Sequence, residues 1–299
     1  MHRETTRPLF ILLTNDDGVA APGIQALAEA LGQLPDVRLA IVAPLTNRTG
    51  VGTQLHFGPI TTLPQAPVAG VPAWAVDGSP GDAVSIGIQG LFRDAPPDLV
   101  CSGVNQGLNL GRIAIHSGTV GAALRAALLG VPALAVSAQS TREPRLEDFA
   151  EAAQLAQRLL AGWLAGGDLP IAAADGTILS LNVPRGYNGR VRWTRQGERY
   201  FRLEQYRRDP DGVTFHPVLA LDSLEPHAPE ALAEPEDTDV GALARGSATL
   251  TPLRAELFST DVYARLPAGT EFDLPALVPM PPETEDPISL PPGAEVRAD

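Results

Sequence analysis

Two adjacent carboxylates, Asp16 and Asp17, stand in Thr14-Asn15-Asp16-Asp17-Gly18, directly after the apolar run Pro8 to Leu13 and just before a helix start. Paired carboxylates at a strand end are costly unless something neutralises them, and a divalent cation is the simplest candidate. If the strand continued, the two would point to opposite faces; Gly18 permits the turn that lets both face one ion. Hard cations such as magnesium or manganese take oxygen ligands. The Thr49 hydroxyl and the Asn105 amide oxygen would supply the others. Taken alone, the dipeptide reads as aspartates in Asx turns that cap the next helix. The other strand ends tip the balance: Thr46-Asn47-Arg48-Thr49-Gly50 and Ser102-Gly103-Val104-Asn105-Gln106-Gly107 are also polar and glycine-rich, and would converge on the same edge.

His116-Ser117-Gly118-Thr119 opens a helix. Free backbone N–H groups and two hydroxyls there make an anion site, and Gly118 lets the backbone come close. By itself the segment reads as an ordinary Ser or Thr N-cap; beside a metal it becomes a phosphate cradle. Two carboxylates cancel a divalent ion, so a phosphate dianion needs further donors, which Arg48 and this helix N-terminus could supply. His116 is a weaker candidate, as proton donor to a leaving group. Cys101 reads as a buried strand residue with no base beside it.

These residues need a scaffold that brings strand ends together. Strand patterns at Leu9–Leu13, Val37–Ala43, Ala73–Val76, Asp98–Ser102, Ala133–Ser137 and Thr177–Val183 alternate with helical patterns at Pro22–Leu34, Pro80–Phe92, Thr119–Leu129 and Leu146–Leu164. Ser79 with Asp82 and Pro80 resembles a capping box. Such alternation predicts an α/β fold with a doubly wound, Rossmann-like parallel sheet, whose ligands lie beyond the carboxyl ends of the strands. Beyond Val183, a β-hairpin excursion is expected within 186–222, from strands at Arg190–Tyr206 and Val213–Leu221 joined by the turn signal Asp209-Pro210-Asp211-Gly212. Leu224–Glu236 reads as a loop and Thr238–Ala244 as a short helix before a strand ending at Thr251. The expected organisation is one α/β domain over 1–266 and an extended, acidic, proline-rich tail over 267–299.

The 299 residues, 44% hydrophobic, suffice for a large core, and the net charge of -13 argues against a nucleic-acid polymer as partner. No apolar run suits a membrane span, no secretory signal stands out, and a single cysteine excludes a disulfide framework. A cytoplasmic protein is expected. Dinucleotide, P-loop and Gly-x-Ser-x-Gly patterns are absent, and Asp16 lacks the Asp-x-Asp spacing expected of an aspartyl-phosphate phosphatase.

The ordered set of motifs resembles the SurE family of metal-dependent nucleoside monophosphate phosphatases. It runs through Thr14–Gly18, Ala21–Ile24, Val42–Pro44, Asn47–Gly52, Gly78–Asp82, Ser102–Gly111 and Ser117–Val120, then Leu181–Pro184, Thr194–Gly197, Thr238-Asp239 and Leu250–Leu253. The resemblance implies metal ligands at Asp16, Asp17, Thr49 and Asn105, with Thr49 in place of the usual serine, and a phosphate segment at Ser117, Gly118 and Thr119. Departures fall at Leu45, Thr53-Gln54 and His116. It implies a homodimer or homotetramer with exchanged elements, for which the β excursion and the C-terminal segment would serve.

The expected activity is therefore hydrolysis of nucleoside 5′- or 3′-monophosphates, with one divalent ion per subunit, magnesium or manganese. Asp16 is the base or water-positioning group and Asp17 chiefly a ligand. The alternatives are a non-catalytic oligomeric module that binds metal or nucleotide, and an aspartyl-phosphate enzyme.

Overall fold

The computed structural model describes residues 7–141, 143–166, 175–198, 203–210, 213–219 and 229–256. The segment 267–299 and the turn residues Asp211 and Gly212 lie outside the described residues, as do Tyr200 and Phe201. Met1–Ala255 forms one compact unit and Glu256–Asp299 a second.

The first apolar run forms β1 (Leu9–Thr14), buried throughout. Leu9, Ile11 and Leu13 enter one core cluster, while Phe10 and Leu12 enter another. A continuous apolar run is what a central strand covered on both faces requires. The chain continues through α1 (Pro22–Leu31), β2 (Val37–Pro44), β3 (Thr62–Val68), β4 (Val71–Val76), α2 (Pro80–Ile86), β5 (Leu99–Gln106), α3 (Gly118–Leu128), β6 (Ala133–Ala138), α4 (Glu147–Gly166) and β7 (Thr177–Val183). It then forms β8 (Val191–Trp193), β9 (Leu203–Arg208), β10 (Phe215–Leu219), α5 (Pro229–Ala233), α6 (Asp239–Ala244) and β11 (Ala248–Arg254).

The main sheet has the order β3-β4-β2-β1-β5-β6-β7-β11-β8. From β4 to β7 every pairing is parallel. β3 runs antiparallel to β4 and β11 antiparallel to β7. α1 and α4 contribute to one core cluster, α2 and α3 to the other. The chain winds outward from β1 to β2 and β4, then returns to β5 and winds the other way. The switch point therefore lies between β1 and β5, where α/β sheets bind ligands.

Several boundaries differ from those read in the sequence. α1 stops at Leu31, where Gly32 closes it, short of Leu34. The helix predicted over Pro80–Phe92 passes into a π-helical turn at Gly87–Leu91. A β-carbon on Gly87 would stand 2.6 Å from Leu12 Cδ2, so this turn lies directly on β1. Arg190–Tyr206 is not one strand: β8 joins the main sheet beside β11, and only β9 and β10 stand apart as an antiparallel pair. The predicted loop Leu224–Glu236 contains α5. β3 escapes the sequence pattern because Pro64 and Pro67 break it, as edge strands tolerate. The Ser79–Asp82 capping box forms as read. Among the described residues no helix is long and apolar enough to cross a membrane.

Candidate active site

At the end of β1, Asn15 makes the turn. Its Nδ2 donates to Gly18 O at 2.9 Å and its Oδ1 accepts from Gly18 N–H at 3.2 Å. Gly18 has φ 109°, a left-handed conformation that glycine adopts without strain. This local Asx geometry keeps Asp16 and Asp17 at the strand end and out of a continuing strand.

Asp16 is buried and Asp17 partly so. Three chain-distant segments close on them. α3 comes first: the Thr119 hydroxyl donates to Asp16 Oδ1, and a β-carbon on Gly118 would lie 2.7 Å from Asp16 Cβ. Glycine at the first helical position is what allows the helix end to lie on the carboxylate. Next comes the segment after β2, where Arg48 N–H donates to Asp16 O at 2.6 Å and Asn47 Nδ2 to Asp17 Oδ1 at 3.3 Å. The third is the end of β5, where Gln106 N–H donates to Asp17 Oδ2 at 3.0 Å. α1 locks against this strand, since a β-carbon on Gly23 would meet Val104 O at 1.9 Å.

The residues predicted as metal ligands lie on these converging segments. Asn105, beside Gln106, is buried, and its Nδ2 donates to Gly107 O at 2.8 Å, so its carbonyl oxygen is the atom it would offer a cation. Thr49 is exposed, and its N–H donates to Asn47 Oδ1 at 2.9 Å, so Asn47 links Thr49 to Asp17. Among the described residues no arginine or histidine forms an ion pair with Asp16 or Asp17. Burial pushes the Asp16 carboxyl up to about 6, with the Asp17 charge raising it further against the Thr119 hydrogen bonds that lower it. Burial also raises Asp17. Two carboxylates, a hydroxyl and an amide oxygen with an unbalanced double negative charge fit a hard divalent cation.

Ser117 caps α3, its Oγ accepting from Val120 N–H at 3.1 Å. The first turn of α3 presents N–H groups with no carbonyl partner inside the helix, beside Asp16. The hydroxyl of Thr119, a residue of the expected phosphate segment, donates to Asp16 here. Arg48 leans on Asp77 Oδ1 at 3.3 Å. His116 is exposed, and its carbonyl accepts from Gly52 N–H at 3.0 Å. Cys101 is buried, and burial pushes its thiol well above the usual range, so it is inert.

Sequence reasoning passed over two organisers. Asn47 could have been found from its position two residues before Thr49, the spacing of an Asx turn. Asp239 stood in the Thr238-Asp239 motif without an assigned role. It accepts from Gly111 N–H at 2.9 Å and Gly197 N–H at 2.8 Å, tying α6 to the segment that leads into Ser117.

The family model described as survival protein SurE matches residues 11–203. The chain belongs to the SurE family. All the candidate residues, from Asp16 to Thr119, lie inside the matched span. A 5'-nucleotidase SurE of Rhodopirellula baltica is 38% identical over 263 residues, covering 86% of this chain and 96% of that relative. One from Syntrophotalea carbinolica is 39% identical over 251 residues, covering 83% and 92%. The crystal structure of a SurE protein from Aquifex aeolicus superposes with a TM-score of 0.69 at 32% identity, covering 85% of this chain and 97% of that one. The mostly parallel sheet is thus the SurE architecture.

Proposed function

We propose that this chain is a divalent-metal-dependent phosphomonoesterase that hydrolyses nucleoside 5′- or 3′-monophosphates to nucleoside and phosphate. The observation that carries the reading is the seating of the α3 N-terminus on Asp16 through Gly118. It sets the N-terminal end of α3 directly beside the paired carboxylates, as a phosphate cradle next to a cation would require. The relatives named 5'-nucleotidase SurE support the same activity.

Asp16, Asp17, Thr49 and Asn105 would hold one ion per subunit, magnesium or manganese. Once bound, the ion supplies the Lewis acidity that offsets charge on the phosphoryl oxygens. Ser117, Gly118 and the first turn of α3 hold the equatorial oxygens, and Arg48 adds a cation at their edge. Asp16 takes a proton from the attacking water, its orientation fixed by Thr119. Asp17 serves chiefly as a ligand.

We assign the activity to residues 1–266, with 267–299 dispensable for it, in a cytoplasmic homodimer or homotetramer. The exposed Trp193 on β8 and the exposed Tyr206 and Phe215 on the β9–β10 hairpin suit subunit contacts. Light scattering tests the assembly. The activity is tested by incubating purified protein with nucleoside monophosphates and nitrophenyl phosphate, with and without chelator. Asp17→Ala should lose metal-dependent phosphate release and keep its thermal transition. Full release by that variant would refute the ligand assignment. Binding of nucleotide with no release by the unsubstituted protein would favour a non-catalytic module.

A further inference from the structure

The rim of this site carries a second anchored side chain. Asp82, at the start of α2, has a side chain only 3% exposed. It accepts from Ser79 N–H at 2.8 Å, Ser79 Oγ at 2.9 Å, His56 N–H at 3.0 Å and His56 Nδ1. Burial alone would raise this carboxyl, but the hydrogen bonds from His56 and Ser79 outweigh it and hold it below the usual carboxylate range. With Nδ1 on Asp82, Nε2 is the other polar atom of His56, on a side chain 46% exposed. A capping box needs only Ser79 and Asp82; the imidazole is an addition to it. The next residue, Phe57, is 100% exposed.

The path of the loop locates this pair. Arg48 N–H is held on Asp16 O. Gly52 O would lie 2.2 Å from a β-carbon on Gly121 of α3, and Gln54 O 3.0 Å from one on Gly81 of α2. The segment from Arg48 to His56 thus crosses from the phosphate cradle to the N-terminal end of α2. α2 packs against α3, whose N-terminus lies on Asp16. His56 is thus held beside α3, on Asp82 rather than on Asp16 or Asp17. This position suits the other half of a nucleoside monophosphate.

We propose that His56 and Phe57 hold the nucleoside half of the substrate, the base stacked on the Phe57 ring and the sugar hydrogen-bonded to His56 Nε2. This rests on the nucleotidase reading above and names the residues that give it preference for a nucleotide over a bare sugar phosphate. An aromatic ring stacks on any base, so the preference among bases is broad.

The test compares AMP, ribose 5-phosphate and inorganic phosphate with the unsubstituted protein, Phe57→Ala and His56→Gln, in the presence of magnesium or manganese. Calorimetry gives affinities and initial rates give KM and kcat. Phe57→Ala should weaken AMP binding about tenfold relative to inorganic phosphate and cut the kcat/KM preference for AMP over ribose 5-phosphate by a similar factor. The loss should fall in KM. His56→Gln should weaken AMP and ribose 5-phosphate together, several-fold relative to inorganic phosphate. The proposal is overturned if both variants keep the unsubstituted affinity ratios, or if all three ligands weaken equally. It also falls if Phe57→Ala changes only the oligomeric state in light scattering. No release from AMP or ribose 5-phosphate by the unsubstituted protein would instead sink the nucleotidase reading, and the calorimetric ratios would still decide the role of the pair.

Discussion

Gly118→Ala is the sharpest test of how the site is built. The added β-carbon would stand 2.7 Å from Asp16 Cβ, 2.9 Å from Oδ2 and 3.2 Å from Cγ. Ordinary contact begins near 3.4 Å, so either the helix end or the aspartate must retreat by about 0.7 Å. The helix end cannot yield freely, because Gly52 O lies against Gly121 one turn further on. The expected result is displacement of Asp16 and strain on its bond from Thr119. Overpacking of this kind destabilises by about 1–3 kcal/mol. A misplacement near 1 Å at a reacting group lowers the rate on the order of a hundredfold. Chelator-sensitive phosphate release from a nucleoside monophosphate, together with urea denaturation, reads both effects. Gly162→Ala is the matched control: Gly162 is exposed on α4 with nothing within 4 Å of the added carbon. It should gain up to about 1 kcal/mol and keep full activity. If Gly118→Ala keeps full activity, α3 does not set the position of Asp16 and the cradle described above is wrong.

Three further outcomes are expected. In chelated protein the Asp16 carboxyl, raised from 3.8 to about 6, binds its proton more tightly when folded. Stability from this group is therefore full below pH 3.8 and is lost as pH rises through about 6, a swing of about 3 kcal/mol. Asp16→Asn should abolish that part of the pH dependence in urea melts at pH 4 and pH 7; an unchanged profile would exclude the assignment. Asp82 is depressed in the folded state, so its contribution is present above 3.8 and disappears as pH falls through its lower folded value. Asp82→Asn should lose about 1–2 kcal/mol at pH 7, with the gap to the unsubstituted protein narrowing in acid. Asp239→Ala strands the N–H groups of Gly111, Gly197 and Val240. It should destabilise by about 3 kcal/mol and raise hydrogen exchange at Gly111 to His116; equal exchange in both proteins would remove Asp239 as an organiser of that segment.

The core elements were legible because their signals are local. β1 is a continuous apolar run, the Ser79–Asp82 cap spans three residues, and glycine follows each polar strand end. Parallel winding then dictates that Asp17 and Gln106 meet, although 89 residues separate them. What the pattern did not carry was side-chain choice between non-local partners. The Thr119 hydroxyl could face a phosphate or Asp16, and only packing of α3 on β1 decides for Asp16. Asp239 and Gly111 stand in separate motifs 128 residues apart, and nothing in either names the other as its partner. β3 was hidden by its prolines, and β8 and β9 merged because one stretch of β-prone residues serves two different sheets.

Gly23, Gly87, Gly118 and Gly121 put main chain or side chain of a neighbouring element where a methyl group would stand. The floor of the cleft is therefore assembled by surfaces with no slack between them, and its parts cannot be adjusted one at a time. By contrast, Leu45 just after β2, Phe57 in the loop beyond it and Ile115 just before Ser117 are exposed. Descendants of this sequence that take up new substrates would do so by exchanging those exposed groups, while the machinery beneath stays the same.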